Sequence, residues 1–484
     1  MADSRILTTE SGAPVADNQN SQSAGVHGPL LLQDQHLLEK LARFNRERIP
    51  ERIVHAVGSG AHGELVVTNP EIANYTHAKL FQPGKKTEMF ARFSTVAGSK
   101  GAPDLMRDPR GFALKFYTED GNYDLTGNNT PIFFIRDPLK FPDFIHSQKY
   151  DPYTNEQEMD NIWDFFSLSP EATHMFTWLF GDRGIPAGHR HQNGYGSHTF
   201  QWVNASGERF WVKYHFKTNQ GIKFFTTDEA AVLAGQNPQW AQADLRNAID
   251  AGNLPSWSLK VQIMSEGDAA TYRVNPFDVT KVWPHGDYPL IEVGTMTLNR
   301  NPDNYFAEVE QAAFDPGHFV PGIGPSPDKM FQGRMFAYGD AHRYRLGINH
   351  IQLPINRPKA AVDNYGRDGL MRFEASYKGE KNYEPNSFNG PAQTNTPLYS
   401  GLQTDGPSGA YGAEIRECDD FEQPGKMYRL ISEDSRERLV GNIANGLSKV
   451  FRDDIIQRAI QFFTNADAEY GSRIEKKVKE LRSS

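Results

Sequence analysis

The chain of 484 residues contains one cysteine, Cys418. That excludes an intrachain disulfide and leaves no set of thiolates for a zinc or iron–sulfur site. No apolar run is long enough to cross a bilayer, and the opening MADSRILTTESGAPVADNQNSQSAG has no apolar signal core. The closing LRSS is no peroxisomal address, so a soluble cytoplasmic protein is expected. No Lys/Arg block relieves a net charge of −9, which argues against nucleic acid or an anionic membrane as partner. The patterns H-E-x-x-H, G-x-S-x-G and the Walker loop are all missing, and His189-Arg190-His191 has no third ligand at useful spacing. Zinc-protease, hydrolase and phosphotransferase chemistries have no support.

Rings are abundant instead: 31 Phe and 19 Tyr suit a well-filled core or a planar apolar ligand, with packing the default. Residues 1–56 read as an arm with a short amphipathic helix around LLLQDQHLLEKLARFNRE. Residues 57–301 read as strands: EMFARFSTV, GFALKFYT, PIFFIRD, HTFQWVN, RFWVKYHFK and LKVQIM are short and rich in aromatic and β-branched residues. Turns at Glu119-Asp120-Gly121 and Ala205-Ser206-Gly207 link them into a closed antiparallel barrel, interrupted by helical patches at 155–180 and 227–251. Residues 302–417 are rich in Pro, Gly and Asn and too long for a simple loop, so they are expected to wrap over other parts or other subunits. Residues 418–484 read as a helical end.

Four segments could carry chemistry. In RMFAYGDAHRYR, Tyr338 follows Arg334 by four residues, one turn along a helical face. A guanidinium beside a phenol favours the phenolate, a hard ligand for ferric iron, although most such pairs are packing contacts. Arg345 lies two turns further on and could hold a carboxylate. In RIVHAVGSGAHG, Gly58, Gly60 and Gly63 match the dinucleotide fingerprint formally, but a strand follows them where a helix is required. They are read as letting the backbone bend at the barrel entrance. His55 there is a satisfied core histidine or a neutral proton acceptor. Asp124–Pro131 is a turn rich in Asn and Gly, or places Asn128 as an amide donor opposite His55. Arg92 and Ser94 share one side of a strand; the arginine needs an anion, and the serine could orient an imidazole.

Together RIVHAVGSGAHG, MFARFSTVAG, RDPRGFALKFYTEDGNYDLTGNNTPIFFIRDPLKFPD, GYGSHTFQWVN, NPFDVTKVWPH and RMFAYGDAHRYRLG resemble, in order, the monofunctional haem catalases of the small-subunit branch. The resemblance implies an α+β fold with an antiparallel eight-stranded β-barrel, an N-terminal arm, a long wrapping segment and a C-terminal helical domain. It implies disproportionation of hydrogen peroxide at a tyrosinate-ligated ferric haem b. His55 matches the distal histidine, Ser94 its partner and Asn128 the distal amide. Tyr338 matches the iron ligand and Arg334 its guanidinium, while Arg52, Arg92 and Arg345 match the propionate arginines. Phe141 and Val54 match positions packed on the porphyrin, and Val96, Asp108, Phe133 and Phe134 line the approach to it. NADPH is implied at His174, Arg183, Lys217, Gln262, Val282, Trp283 and His285, although Gly181 stands where many family members have serine. A homotetramer is implied by the same likeness. Isomerisation of fatty-acid hydroperoxides and a non-enzymatic haem or dinucleotide store are the rival readings, disfavoured by the retained His55 and Asn128.

Overall fold

The computed structural model describes residues 5–374, 377–402, 408–411 and 419–483, so Cys418 and the expected boundary at 417/418 lie outside the described residues. Contacts divide the chain into two units, Met1–Glu51 and Arg52–Ser484. The first carries α1 (Gln35–Phe44), whose N-terminus is capped by Asp34 accepting from the Leu37 N–H at 3.1 Å. None of its residues is buried, and Leu38, Leu41 and Phe44 stand exposed. The division comes before the expected residue 56 because the next residues belong to the second unit. Arg52 donates to the carbonyls of Val309, Glu310 and Ala312 at 3.2, 3.0 and 2.8 Å, and the His55 N–H to that of Val96 at 3.1 Å.

The second unit is built on ten strands: β1 (Gly58–Val67), β2 (Lys86–Thr95), β3 (Arg110–Thr118), β4 (Gly121–Asn128), β5 (Gly194–Tyr195), β6 (Phe200–Val203), β7 (Arg209–Thr218), β8 (Ser256–Ser265), β9 (Ile291–Arg300) and β10 (Ile323–Gly324). Eight of them close into an antiparallel ring in the order β7-β5-β4-β3-β2-β1-β9-β8, with β7 pairing back onto β8. Strands β6 and β10 extend from β7 as a side branch. Closure removes the open edges that a sheet of this length would otherwise present. Both expected hairpins are present: Glu119-Asp120 joins β3 to β4, with Gly121 at φ +117°, and Gly207 turns at φ +83° between β6 and β7.

Alternation along the strands decides what faces where. Ala91 and Phe93 of β2, Phe112 and Leu114 of β3 and Trp257 and Leu259 of β8 fill the barrel. Arg92, Ser94 and Gly111 therefore lie on its outer face. Beyond the barrel lie α2 (Phe141–Gln148), α3 (Met159–Ser167), α4 (Thr173–Phe180), α5 (Thr227–Gln236), α6 (Trp240–Asp250), α7 (Glu266–Thr271) and α8 (Lys329–Leu346). Helices α9 (Glu422–Leu430), α10 (Glu433–Leu447), α11 (Asp453–Ala466) and α12 (Ala468–Ser483) follow, and Trp163, Phe166, Phe176, Leu439, Phe463 and Tyr470 build a second core among these helices. A five-residue π-helical segment, Phe306–Glu310, lies ahead of α8. Among the described residues no helix is long and apolar enough to cross a membrane.

Three sequence expectations are corrected. Residues 131–137 form no strand: Ile132, Phe134 and Ile135 are an apolar run that packs into the second core, and such a run imitates a strand. The segment read as an Asn/Gly turn is β4 as far as Asn128, paired residue by residue with β3. Gly58, Gly60 and Gly63 do not bend the chain at an entrance; they lie inside β1, where neighbours come too close for a side chain. A Cβ would sit 2.5 Å from the Arg92 guanidinium carbon, 2.4 Å from the Phe90 ring and 2.1 Å from the Thr297 carbonyl oxygen, respectively.

Candidate active site

Strand register assembles one side of the site. Ser94, Gly111 and Asn128 are successive partners across β2, β3 and β4, so their side-chain positions share one face of the sheet. His55 lies against that row, with Nδ1 2.9 Å from the Ser94 Oγ. A Cβ on Gly111 would approach the Ser94 Oγ to 2.4 Å and the His55 Nδ1 to 2.8 Å, so only glycine leaves room for the pair. The His55 backbone is in the left-handed region at φ +65°, at a cost of about 1–3 kcal/mol. Its N–H bond to Val96 and the Arg92 Nη1 bond to its carbonyl at 2.9 Å hold it there. Burial first, then the charges of Arg92, Arg334 and Arg52, lowers the imidazole to about 3. The ring is therefore neutral at ordinary pH and can accept a proton.

Helix α8 supplies the other side. Its capping residue Asp328 accepts the Phe331 N–H with Oδ1 at 3.2 Å and faces His198 Nδ1 with Oδ2 at 2.6 Å. Arg334 lies 2.7 Å from His198 Nε2 through Nη1 and donates through Nη2 to the Tyr338 phenol at 2.7 Å and the Thr126 carbonyl at 2.8 Å. Because a guanidinium only donates, His198 Nε2 accepts and Nδ1 carries the proton given to Asp328. The result is a continuous line, Asp328–His198–Arg334–Tyr338, with the His198 ring stacked on Phe331 at 4.9 Å. Sequence reasoning identified the last two members and missed the first two. The Asp before α8 is a legible cap, but nothing local connects it to a histidine in another segment.

Arg52, Arg92 and Arg345 gather beside this site with one buried carboxylate, Glu310, whose Oε1 lies 3.9 Å from Arg52, 3.6 Å from Arg345 and 3.7 Å from Lys100. Glu310 Oε2, Arg52 Nη1 and Arg92 Nε have no hydrogen-bond partner among the described residues. Burial and the repulsion of Arg92 and Arg345 push the Arg52 guanidinium well below its ordinary range, and burial lowers Arg92 to about 10. So many crowded cations exceed what a single carboxylate can offset; a dianion would relieve them. Val54, Phe133 and Phe141 are half-buried apolar side chains packed against the second core, Phe133 and Phe141 with ring centroids 6.3 Å apart. The residues present fit a planar apolar dicarboxylate such as a haem. Asp108 accepts the backbone N–H groups of Val96 and Ala97, and burial raises its carboxyl to about 6. Phe134 is buried between Phe144 and Phe176.

Sequence-expected dinucleotide positions also converge. A cavity of about 470 Å³ is lined by His174, Arg183, Lys217, Gln262, Val282, Trp283 and His285. Gln262 spends its amide on the protein, donating to the carbonyls of Trp283 and Tyr288 at 3.0 and 2.7 Å and facing His215 Nε2 with its oxygen at 2.9 Å. It shapes the wall. Arg183, Lys213 and Lys217 give the cavity a cationic lining suited to phosphate.

Known proteins resemble the chain along nearly its whole length. The catalase family model matches residues 8–390, and that of the catalase-related immune-responsive domain matches 414–478. The chain is 64% identical over 483 residues to a catalase of Streptomyces coelicolor, covering 99% of each. It is 63% identical over 479 residues to a bromoperoxidase-catalase of Streptomyces venezuelae, covering 98% of this chain and 99% of that protein. A solved bacterial catalase superimposes with a TM-score of 0.94 at 48% identity, covering 99% of this chain and 96% of that one. A barrel, a neutral imidazole, a phenol in the grip of an arginine, and likeness along nearly the whole length lead to one conclusion: the chain belongs to the catalase family, haem-dependent oxidoreductases that decompose hydrogen peroxide.

Proposed function

We propose that this chain holds haem b, that Tyr338 would ligate its iron, and that His55 serves as the acid–base group. The single observation that carries this reading is the His55 ring, engaged at Nδ1 by the Ser94 Oγ at 2.9 Å in surroundings whose burial favours the neutral imidazole. Its Nε2 is then available to substrate. Arg52, Arg92 and Arg345 pair with the two propionates, and Val54 and Phe141 pack on the porphyrin. A bound haem would supply the two-electron redox chemistry by which one peroxide is reduced to water and a second oxidised to dioxygen.

The protein's own residues manage protons and position. His55 accepts the proton of one peroxide oxygen and delivers it to the other as water departs. Ser94 fixes the ring so that the transfer distance is set before substrate arrives, and Asn128 donates an amide hydrogen bond to peroxide from the same sheet face. Arg334 holds the Tyr338 oxygen with a charge-assisted donor backed by His198 and Asp328. Val96, Asp108, Phe133 and Phe134 flank the approach to His55. NADPH occupies the cavity lined by His174 and Trp283, with Arg183 and Lys217 on its phosphates. The protein acts as a homotetramer in the cytoplasm; exposed Leu41 and Phe44 on α1 and Phe336 and Tyr344 on α8 offer apolar surface for subunit contact. The arm, wrapping and helical divisions read from the sequence serve that assembly.

The test is oxygen release on adding peroxide, measured beside a visible spectrum. Wild type is expected to show a ferric haem spectrum and release oxygen, and His55→Ala to keep the spectrum and lose the release. A His55→Ala protein that still releases oxygen refutes the assignment. Light scattering behind a sizing column reads the tetramer.

A further inference from the structure

The dinucleotide-sized cavity and the Tyr338 line, treated so far as separate sites, share a connection. Lys213 on β7 lines the cavity, yet its side chain is buried. Its ammonium donates to the Ser197 carbonyl at 3.1 Å and lies 5.5 Å from the Trp283 ring centroid. Ser197 is the only protein hydrogen-bond acceptor of Lys213 among the described residues. An ammonium has three donors, so Lys213 retains capacity to bind an anion that enters the cavity.

Ser197 is not an ordinary acceptor. It is in the left-handed region at φ +62°, at the centre of a three-residue turn closed by the His198 N–H on the Gly196 carbonyl at 2.8 Å. Such a turn is rare and strained, and persists where its surroundings hold it. Lys213 holds its carbonyl, and the Ser197 hydroxyl donates to the Thr130 carbonyl at 3.0 Å. The very next residue is His198, which joins Asp328 to Arg334 and so to the phenol.

The geometry points to Lys213 as a positioning residue through which a phosphate-bearing ligand in the cavity alters the setting of Tyr338. Entry of the anion redirects the ammonium from Ser197, the strained turn relaxes, and the His198 ring shifts between Asp328 and Arg334. The charge of Lys213 also acts on Asp328 of that line: burial lowers the Lys213 ammonium to about 8, with Asp328 and Asp278 opposing that fall. A phosphate beside it would fix the ammonium in its charged form. This link rests on the reading of the cavity as a dinucleotide site and of Tyr338 as the axial ligand.

The test uses the haem-loaded enzyme with NADPH as the probe, at saturation, and no peroxide. Binding is followed by nicotinamide fluorescence and the phenol side by the visible charge-transfer band of the ferric haem. Wild type is expected to show a band shift that saturates with the same midpoint as binding. Lys213→Met should bind NADPH at saturation with the shift lost, and Lys213→Arg should restore it. NADPH binding by Lys213→Met with the shift intact overturns the link. Should Lys213→Met not fold, wild type decides alone, since binding without any shift also overturns it. Absence of NADPH binding to wild type would instead remove the dinucleotide reading, and the link with it.

Discussion

The imidazole side and the phenol side of the site are held by different kinds of structure. His55 is seated against a row of strand partners, Ser94, Gly111 and Asn128, and is kept in a strained backbone by its N–H bond to Val96 and by Arg92 on its carbonyl. Tyr338 is held by a line of charged side chains that begins at a helix cap, Asp328, and crosses to another segment at His198. Register fixes a proton acceptor to a fraction of an ångström whatever the surrounding charge. A line of charges fixes a ligand less rigidly and responds to whatever alters one of its members. On the proposed function, proton transfer at His55 would need the first kind of control, and tuning of the Tyr338 phenol would be served by the second.

That contrast can be broken by experiment. His55→Ala is expected to lower the rate of peroxide decomposition by about 10²–10⁴-fold at unchanged haem content. A loss under tenfold, in oxygen-electrode assays, would mean that the strand row supports no acid–base group. Tyr338→Phe removes the oxygen that Arg334 holds and is expected to give a displaced visible spectrum or a protein that loses haem on gel filtration. An unchanged spectrum would show that the charged line has no ligand at its end. Much of this pair was legible beforehand: four-residue helical spacing put Arg334 beside Tyr338. His198 was not, because the bond joining it to Arg334 spans 136 residues and leaves no local pattern.

Asp328→Asn separates the two roles of that cap. Asn caps a helix as well as Asp does, so α8 should keep its start, while the charge behind His198 is lost. The expected cost is about 1.5–3 kcal/mol in urea unfolding, with a shifted haem band. Stability and spectrum both unchanged would show that the line is not energetically coupled. Gly111→Ala tests the other side: crowding of Ser94 and His55 should cost about 1–3 kcal/mol and lower activity without moving the haem band. A moved band with intact activity would reverse the assignment of the two sides.

The smallest expected effect is in pH. His55 is lowered to about 3, so its neutral form is retained far below the ordinary histidine value of 6.5. The rate constant should stay flat between about pH 5 and 9, and protonation of His55 should lower it only towards pH 3. A fall with a midpoint near 6.5 would place an ordinary, solvated histidine in that role.

The legible and illegible parts of the fold divide along the same line. Strands rich in Phe, Val and Tyr announced the barrel, and Glu119-Asp120 and Gly207 its hairpins. Closure was expected, but that β7 and β8 are the strands that close the ring could not be read, since their register depends on packing rather than on either strand alone. Residues 131–137 misled because an apolar run looks the same whether it enters a sheet or a helical core. Gly111, the residue on which the His55–Ser94 pair depends, resembles any glycine in a strand until its neighbours are known.

The π-helical segment Phe306–Glu310 adds one residue to a turn, and it ends at Glu310, the carboxylate that faces Arg52 and Arg345. A turn widened in this way is sensitive to chain length rather than to side-chain chemistry. Deleting a single residue between 306 and 309 would rotate Glu310 by about 100° and carry its charge away from Arg52 and Arg345. The electrostatic balance of the cluster thus depends on the length of this segment, and loss of the uncharged Ala307 alone would reset it.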